Sequence, residues 1–361
     1  MPVFVSSIST ALPAYAYNQN DILQFMQENS PDDSLIRRSL SSIYQHSGIS
    51  NRYSVLPDFE IGAGNFFSRP ELPSTKERMQ MYSSHALKLG RNVLAQLGEK
   101  LEKEGDSLHS ITHLVWVSCT GMVSPGIETR LLQEFDFGPD IQTTAFNFLG
   151  CHGFFHGLRY AAALVNANPE ARVVIVCAEL CTLHFQPKWH TDQLLANAIF
   201  GDAAAGLLVS SVPFGQNPIQ ILRQSQSYFH EIGDAMTWNL GESGFDMRLS
   251  QDLPRHLEGV VHQALDSIFQ LEEVTKNEIK SWLFHPGGKR ILDRLGQTLE
   301  LQAADLKPSR KALEMVGNVS SASILFVAEQ FLKLNPQPQN QLGVMLGIGP
   351  GLALETALFH Y

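Results

Sequence analysis

Three short segments hold side chains able to do covalent and acid–base chemistry. Ala145–Ala162 reads AFNFLGCHGFFHGLRYAA and contains Cys151; Phe284–Gly288 reads FHPGG and contains His285; Gly317–Ser323 reads GNVSSAS and contains Asn318. A thiolate is a nucleophile, an imidazole moves protons, and a fixed amide donates hydrogen bonds to developing negative charge. Each residue also has an ordinary explanation. A free cysteine is usually a small buried hydrophobe, a histidine before Pro-Gly-Gly can be a loop residue, and an asparagine can cap a helix or sit in a turn.

The surrounding patterns say where these residues must stand. The apolar run before Gly150 predicts a strand, and the spacing of Phe154, Phe155, Leu158 and Ala162 predicts a helix after it. Cys151 is thereby placed on the first turn of a helix, where unpaired N–H groups and a partial positive charge favour thiolate. His285 ends an apolar run and faces a loop surface, and GNVSSAS opens the helical pattern Ile324–Leu332. Further strands are predicted at His113–Ser118, Arg172–Val176, Ala205–Val209, Trp282–Phe284 and Leu342–Leu346, with helices at Met79–Leu97, Gly153–Val165, Leu257–Phe269 and Ser321–Leu332. Alternating strands and helices of this kind indicate an α/β protein with buried sheets. The turn-rich stretch Ser211–Pro218 can join two halves.

Composition narrows the function. Charged residues make up only 17% of the 361, with 44% apolar, which suits a large buried core. A net charge of −10 without a basic cluster argues against nucleic acid. The pairs Arg37–Arg38 and Lys289–Arg290 could still hold a small polyanion. No basic n-region with an apolar h-region opens the chain, and no apolar run reaches the roughly 20 residues of a membrane span. Four cysteines in a chain this long do not form a disulfide framework, so reduced thiols and a cytoplasmic location are expected. Cys177 and Cys181 stand four apart without a second pair of ligands at matching spacing, so no metal site is expected. Gly347–Leu352 (GIGPGL) looks like a dinucleotide-binding loop, but only about ten residues follow it, too few for the helix and second strand. Its glycines more simply let the backbone approach the cysteine.

Taken together, GC, HPGG and GN-x-SSA in this order resemble the ketosynthases of the thiolase superfamily. Phe200–Ala205 (FGDAAA) resembles that superfamily's acidic turn, and GIGPGL its C-terminal loop. Val174–Phe185 (VIVCAELCTLHF) and Ser124–Gly126 (SPG) make the chain most similar to chalcone-synthase-like, type III polyketide synthases. The resemblance runs from about Ser47 to the C-terminus. It implies a five-layered α/β/α/β/α thiolase fold of two similar halves, 1–212 with the nucleophile and 213–361 with the histidine and asparagine, in a homodimer.

The same resemblance implies decarboxylative condensation of malonyl thioester units onto an acyl group held by Cys151, with His285 and Asn318 supporting the enolate and no cofactor beyond coenzyme A thioesters. By motif alignment Phe200 falls on one gatekeeping phenylalanine position and Met247 on the other, a departure from the family pattern. Cys119, Thr120 and His184 fall on cavity-lining positions, and Gly349 and Gly351 on the loop beside the cysteine. Small residues more usual around the cysteine are replaced by His152, Phe154 and Phe155. The plant enzymes' coenzyme A-binding cations are not basic here; Arg37, Arg38 and Arg52 are the nearest, with Lys289 and Arg290 as further candidates. Two other readings remain: a β-ketoacyl-carrier-protein synthase III-like enzyme using an acyl carrier protein, which shares the residue set, and a non-catalytic partner subunit, against which the intact Cys151, His285 and Asn318 argue.

Overall fold

The computed structural model describes residues 1–60, 66, 67, 69, 71–215, 217–337 and 340–361; Gln216 of the joining stretch lies outside them. The first half runs β1 (Val3–Ala11), β2 (Tyr15–Asn18), α1 (Gln19–Glu28), α2 (Ser34–Gln45), β3 (Asn51–Ser54), α3 (Thr75–Lys103), β4 (His113–Ser118), α4 (Ile127–Leu131), β5 (Gln142–Asn147), α5 (Gly153–Ala167), β6 (Val173–Leu180), α6 (Thr191–Ile199) and β7 (Asp202–Ser210). The second runs β8 (Ile219–Tyr228), β9 (Met236–Gly241), β10 (Gly244–Leu249), α7 (Leu253–Leu271), β11 (Ile279–Phe284), α8 (Lys289–Thr298), α9 (Lys307–Val316), α10 (Ser323–Leu334), β12 (Leu342–Gly349) and β13 (Ala353–His360).

Strand residues are apolar on both faces because both faces are covered. Along β4, Leu114 and Trp116 enter one core while Val115 and Val117 enter another. In β12, Val344, Leu346 and Ile348 face a third core and Met345 faces the second. Helix α3 backs the first half of the sheet, with Leu89, Val93 and Leu97 buried, and α7 backs the second half through Leu257, Val261 and Leu265. Between the two sheet halves lie α5 and α10, whose Phe155, Leu158, Ile324 and Phe326 share the middle core. Three cores around two sheet layers make the five-layered α/β/α/β/α arrangement.

The pairing pattern repeats. In the first half β4 runs parallel to β6, which is antiparallel to β7, which is antiparallel to β1. In the second, β11 runs parallel to β12, which is antiparallel to β13, which is antiparallel to β8. Residues Val3–Val5 of β1 also pair with β8, so the two layers join into one nine-stranded sheet, ordered β11-β12-β13-β8-β1-β7-β6-β4-β5. The sequence patterns had not marked the hairpin β9–β10, closed through the Gly241–Gly244 pair, although it brings Trp238 and Met247 to the site. No helix among the described residues is long and apolar enough to cross a membrane.

Candidate active site

Backbone geometry and backbone hydrogen bonds set the place of each of the three chemical residues. Cys151 follows Gly150, whose φ of +83° and close approach to Pro350 (an added Cβ would fall 2.4 Å from the ring) both require glycine. The cysteine stands two residues before α5, not on its first turn as expected from the pattern, because His152 is the N-cap. His285 ends β11 with its N–H bonded to Leu346 O at 2.8 Å. Asn318 bridges to the end of α6, donating to Ile199 O at 2.8 Å and accepting from Gly201 N at 3.0 Å. Its side-chain oxygen accepts from the Ser320 N–H at 2.9 Å and the Ser323 hydroxyl at 3.3 Å. Those two bonds orient the amide and leave Nδ2 as its donor.

Cys151, His285 and Asn318 line one small chamber of about 10 Å³, together with Phe200, Met247 and Ile348. Burial dominates its electrostatics. It pushes the Cys151 thiol up to about 12, opposed by hydrogen bonding to Ser320 and Asn318. It pulls His285 down to about 3, and His285 Nδ1 has no hydrogen-bond partner among the described residues. Burial therefore works against charge on both groups, disfavouring thiolate and imidazolium alike in this dry chamber.

Three cavities follow one another. The outermost, about 270 Å³, is lined by Ser42, His46, Lys289 and Arg290 and shares Leu249, Gly287 and Ile291 with the catalytic chamber. The chamber in turn shares Phe200 and Met247 with an inner pocket of about 40 Å³. Phe200 and Met247 thus stand between thiol and inner pocket, where the resemblance put gatekeepers. His184 forms part of the inner wall, its ring stacked on Phe245 at 4.1 Å. Its Nε2 meets Thr120 O at 2.7 Å and its Nδ1 accepts from Phe245 N at 3.1 Å, while Trp238 donates to Cys119 O at 2.8 Å. The wall is pinned at every polar atom named.

Other expected positions fall elsewhere. Thr120 is spent on Glu179 (2.7 Å) and on the Leu180 N–H (2.9 Å), and Cys119 Sγ lies 2.9 Å from Ser320 Oγ; both form a layer beneath the chamber rather than its lining. Gly349 packs on the His152 ring and Gly351 turns with φ +76°, its N–H donating to Met236 O; neither lines the chamber, where Ile348 stands. Arg52 is buried, donating to Gln19 and to the carbonyls of Asn197 and Phe200, which corrects its expected role on coenzyme A. Arg37 is exposed on α2 and paired with Asp32 at 3.3 Å, and neither it nor Arg38 lines the outer cavity. The sequence reading missed Glu179, a carboxylate with no exposed surface inside β6. Its signal was there: a lone acid in the otherwise apolar VVIVCAEL.

A cysteine-centred chamber between two half-sheets of this fold defines a thiolase-fold acyltransferase. Residues 2–213 match the family model for the N-terminal domain of chalcone and stilbene synthases, and residues 220–361 the model for their C-terminal domain; the chain belongs to that family. A putative chalcone synthase of Bacillus subtilis is 30% identical over 99% of this chain and 98% of its own length. The fold also matches PKS-I from the brown alga Ectocarpus siliculosus (TM-score 0.91, 24% identity, 100% of this chain and 98% of that one). The C-terminal type III polyketide synthase domain of Steely1 from Dictyostelium matches equally (TM-score 0.91, 24% identity, 100% and 99%).

The raised Cys151 thiol has a measurable consequence. With the thiol raised to about 12, its thiolate fraction climbs about tenfold per pH unit across the range below that value. Alkylation of Cys151 by iodoacetamide, followed on its peptide by mass spectrometry, should rise about tenfold from pH 7 to 8 and again from 8 to 9. A rate already flat between pH 7 and 9 would show a resting thiolate instead.

Proposed function

We propose that this chain is a type III polyketide synthase in which Cys151 carries the growing acyl group and His285 and Asn318 handle its charge. The convergence of these residues, from three distant segments, on one buried chamber supports the assignment most directly. In this reading residues 1–212 form the half that carries the nucleophile and 213–361 the half that carries His285 and Asn318.

As Cys151 sulfur bonds to the acyl carbon, His285 accepts its proton; the bond from that carbon to the coenzyme A sulfur breaks, and the departing thiolate recovers the proton. A malonyl thioester then enters. Its bond to the carboxyl carbon breaks, carbon dioxide leaves, and the electron pair becomes an enolate. Asn318 Nδ2 and a His285 N–H donate to the enolate oxygen, worth the most in a chamber that excludes water. The enolate carbon attacks the acyl carbonyl, the carbon–sulfur bond to Cys151 breaks, and the released thiolate is reprotonated, so each extension consumes one proton. Met247, unbranched and pliable, can yield as a chain advances past Phe200.

Cys151→Ala should carry no acyl adduct by intact-protein mass spectrometry. Asn318→Ala should load normally and decarboxylate malonyl-coenzyme A about 10²–10³ times more slowly, while His285→Ala should impair both steps. An adduct on the Cys151→Ala protein would remove the assignment.

For the donor we propose coenzyme A, whose phosphates would meet Lys289 and Arg290 at the outer cavity. Lys289 shares Asp293 with Arg310, whereas Arg290 has no ion pair among the described residues. Both open α8, whose N-terminal N–H groups add to the attraction for an anion. Arg290→Glu should raise KM for malonyl-coenzyme A about tenfold, roughly 1.4 kcal/mol, with a smaller change in kcat. A specificity constant about 100-fold higher for a malonyl-carrier protein would overturn this choice in favour of the synthase III-like reading.

A homodimer is the proposed assembly. β5 is the last strand of the sheet, hydrogen-bonded on one side to β4 and partly exposed along its length, which suits pairing with a second copy. Sedimentation at micromolar concentration should give twice the 40.1 kDa chain mass; a single 40.1 kDa species would exclude the dimer.

A further inference from the structure

His152 and His156 stand four residues apart at the start of α5, so their rings leave one face of the helix, with centroids 5.0 Å apart. Glu355 on β13 meets them from the neighbouring sheet half, its Oε1 3.3 Å from His156 Nε2. One ligand atom from each of the three lies within 4.8 Å of the others. None of the three lines the tunnel. We propose that His152, His156 and Glu355 form a binding site for one divalent transition-metal ion of the zinc class.

The three groups do not satisfy one another. His152 is 5% exposed and Glu355 not at all, yet His152 Nδ1 and Glu355 Oε1 are buried without a hydrogen-bond partner among the described residues. Polar atoms left in that state cost about 1–3 kcal/mol each, which a bound cation at the cluster can offset. Arg159 occupies the other carboxylate oxygen, Oε2, and thereby orients Oε1 toward the histidines. Ligating carboxylates are commonly held by such an outer hydrogen bond. Gly349 leaves the space that the His152 ring fills: an added Cβ would lie 1.5 Å from Nδ1.

Two imidazoles and one carboxylate are a donor set that Zn²⁺ accepts, with a fourth position for water. Metal–ligand bonds of about 2.0–2.1 Å in tetrahedral geometry separate donor atoms by about 3.3 Å. The His156–Glu355 spacing already has that value, and closing the site requires His152 to approach from within 4.8 Å. An ion there ties the start of α5, immediately after Cys151, to β13 across the middle layer. Its effect is to stiffen the support of the nucleophile from the side opposite the substrate tunnel.

The test uses the full-length chain after chelator treatment. Calorimetric titration with Zn²⁺ should show one equivalent per chain. Co²⁺ should give the visible bands of a four-coordinate nitrogen and oxygen site without the near-ultraviolet charge transfer that cysteine ligation produces. Saturating Zn²⁺ should raise Tm by at least about 2 °C. His156→Gln and Glu355→Gln should each weaken Zn²⁺ binding at least tenfold and abolish the Tm rise. If either variant fails to fold, judged by its metal-free Tm, the other variant and the cobalt spectrum of the unaltered protein decide. Absence of stoichiometric binding, a thiolate charge-transfer band, or unchanged affinity in the folded variants would each overturn the proposal.

Discussion

A single buried carboxylate bridges the two halves beneath the catalytic chamber. Glu179 sits in β6 with no exposed surface and accepts hydrogen bonds from the Cys119 N–H, the Thr120 hydroxyl and the Ser321 hydroxyl. The first two belong to the segment leaving β4 in the first half; Ser321 belongs to the turn that follows Asn318 in the second. Burial raises the Glu179 pKa, and those donors oppose the rise. An acid in this position is tolerable only while its donors are in place. The loop ends around it are consequently fixed, and with them Ser320, which is hydrogen-bonded to Cys151.

The chamber above inherits its chemistry from the same dryness. Burial disfavours charge on Cys151 and His285, and it makes each fixed donor worth more when charge appears on a substrate. The amide of Asn318 is prepared in advance, with its oxygen already occupied by Ser320 and Ser323. His184 and Trp238 are likewise pinned to backbone on the inner wall, and Met247 lies between the chambers.

Much of this was legible in the linear sequence. The strand at His113–Ser118 and the helices around Gly153–Val165 and Leu257–Phe269 follow from periodicity, because burial on one or both faces writes itself into residue spacing. Motif order brought Cys151, His285 and Asn318 together, since turns and glycines at each position are local requirements of the backbone. Phe200 and Met247 were placed by alignment through short motifs and do stand between the two inner chambers.

What distance along the chain conceals, only the folded molecule decided. The titration of Cys151 is the clearest case: its place beside a helix N-terminus is local and visible in sequence, but the burial that raises its thiol comes from distant residues, from Phe200 to Ile348. Arg52 looks like a free cation until the end of α6 closes over it. His152, His156 and Glu355 form a cluster because β13 crosses α5, a juxtaposition that no spacing between positions 156 and 355 encodes. Sequence by itself determined the elements and the reacting groups, which depend on neighbours a few residues apart. Tertiary structure determined protonation, access and cross-chain ligand sets, which depend on what the fold packs around them.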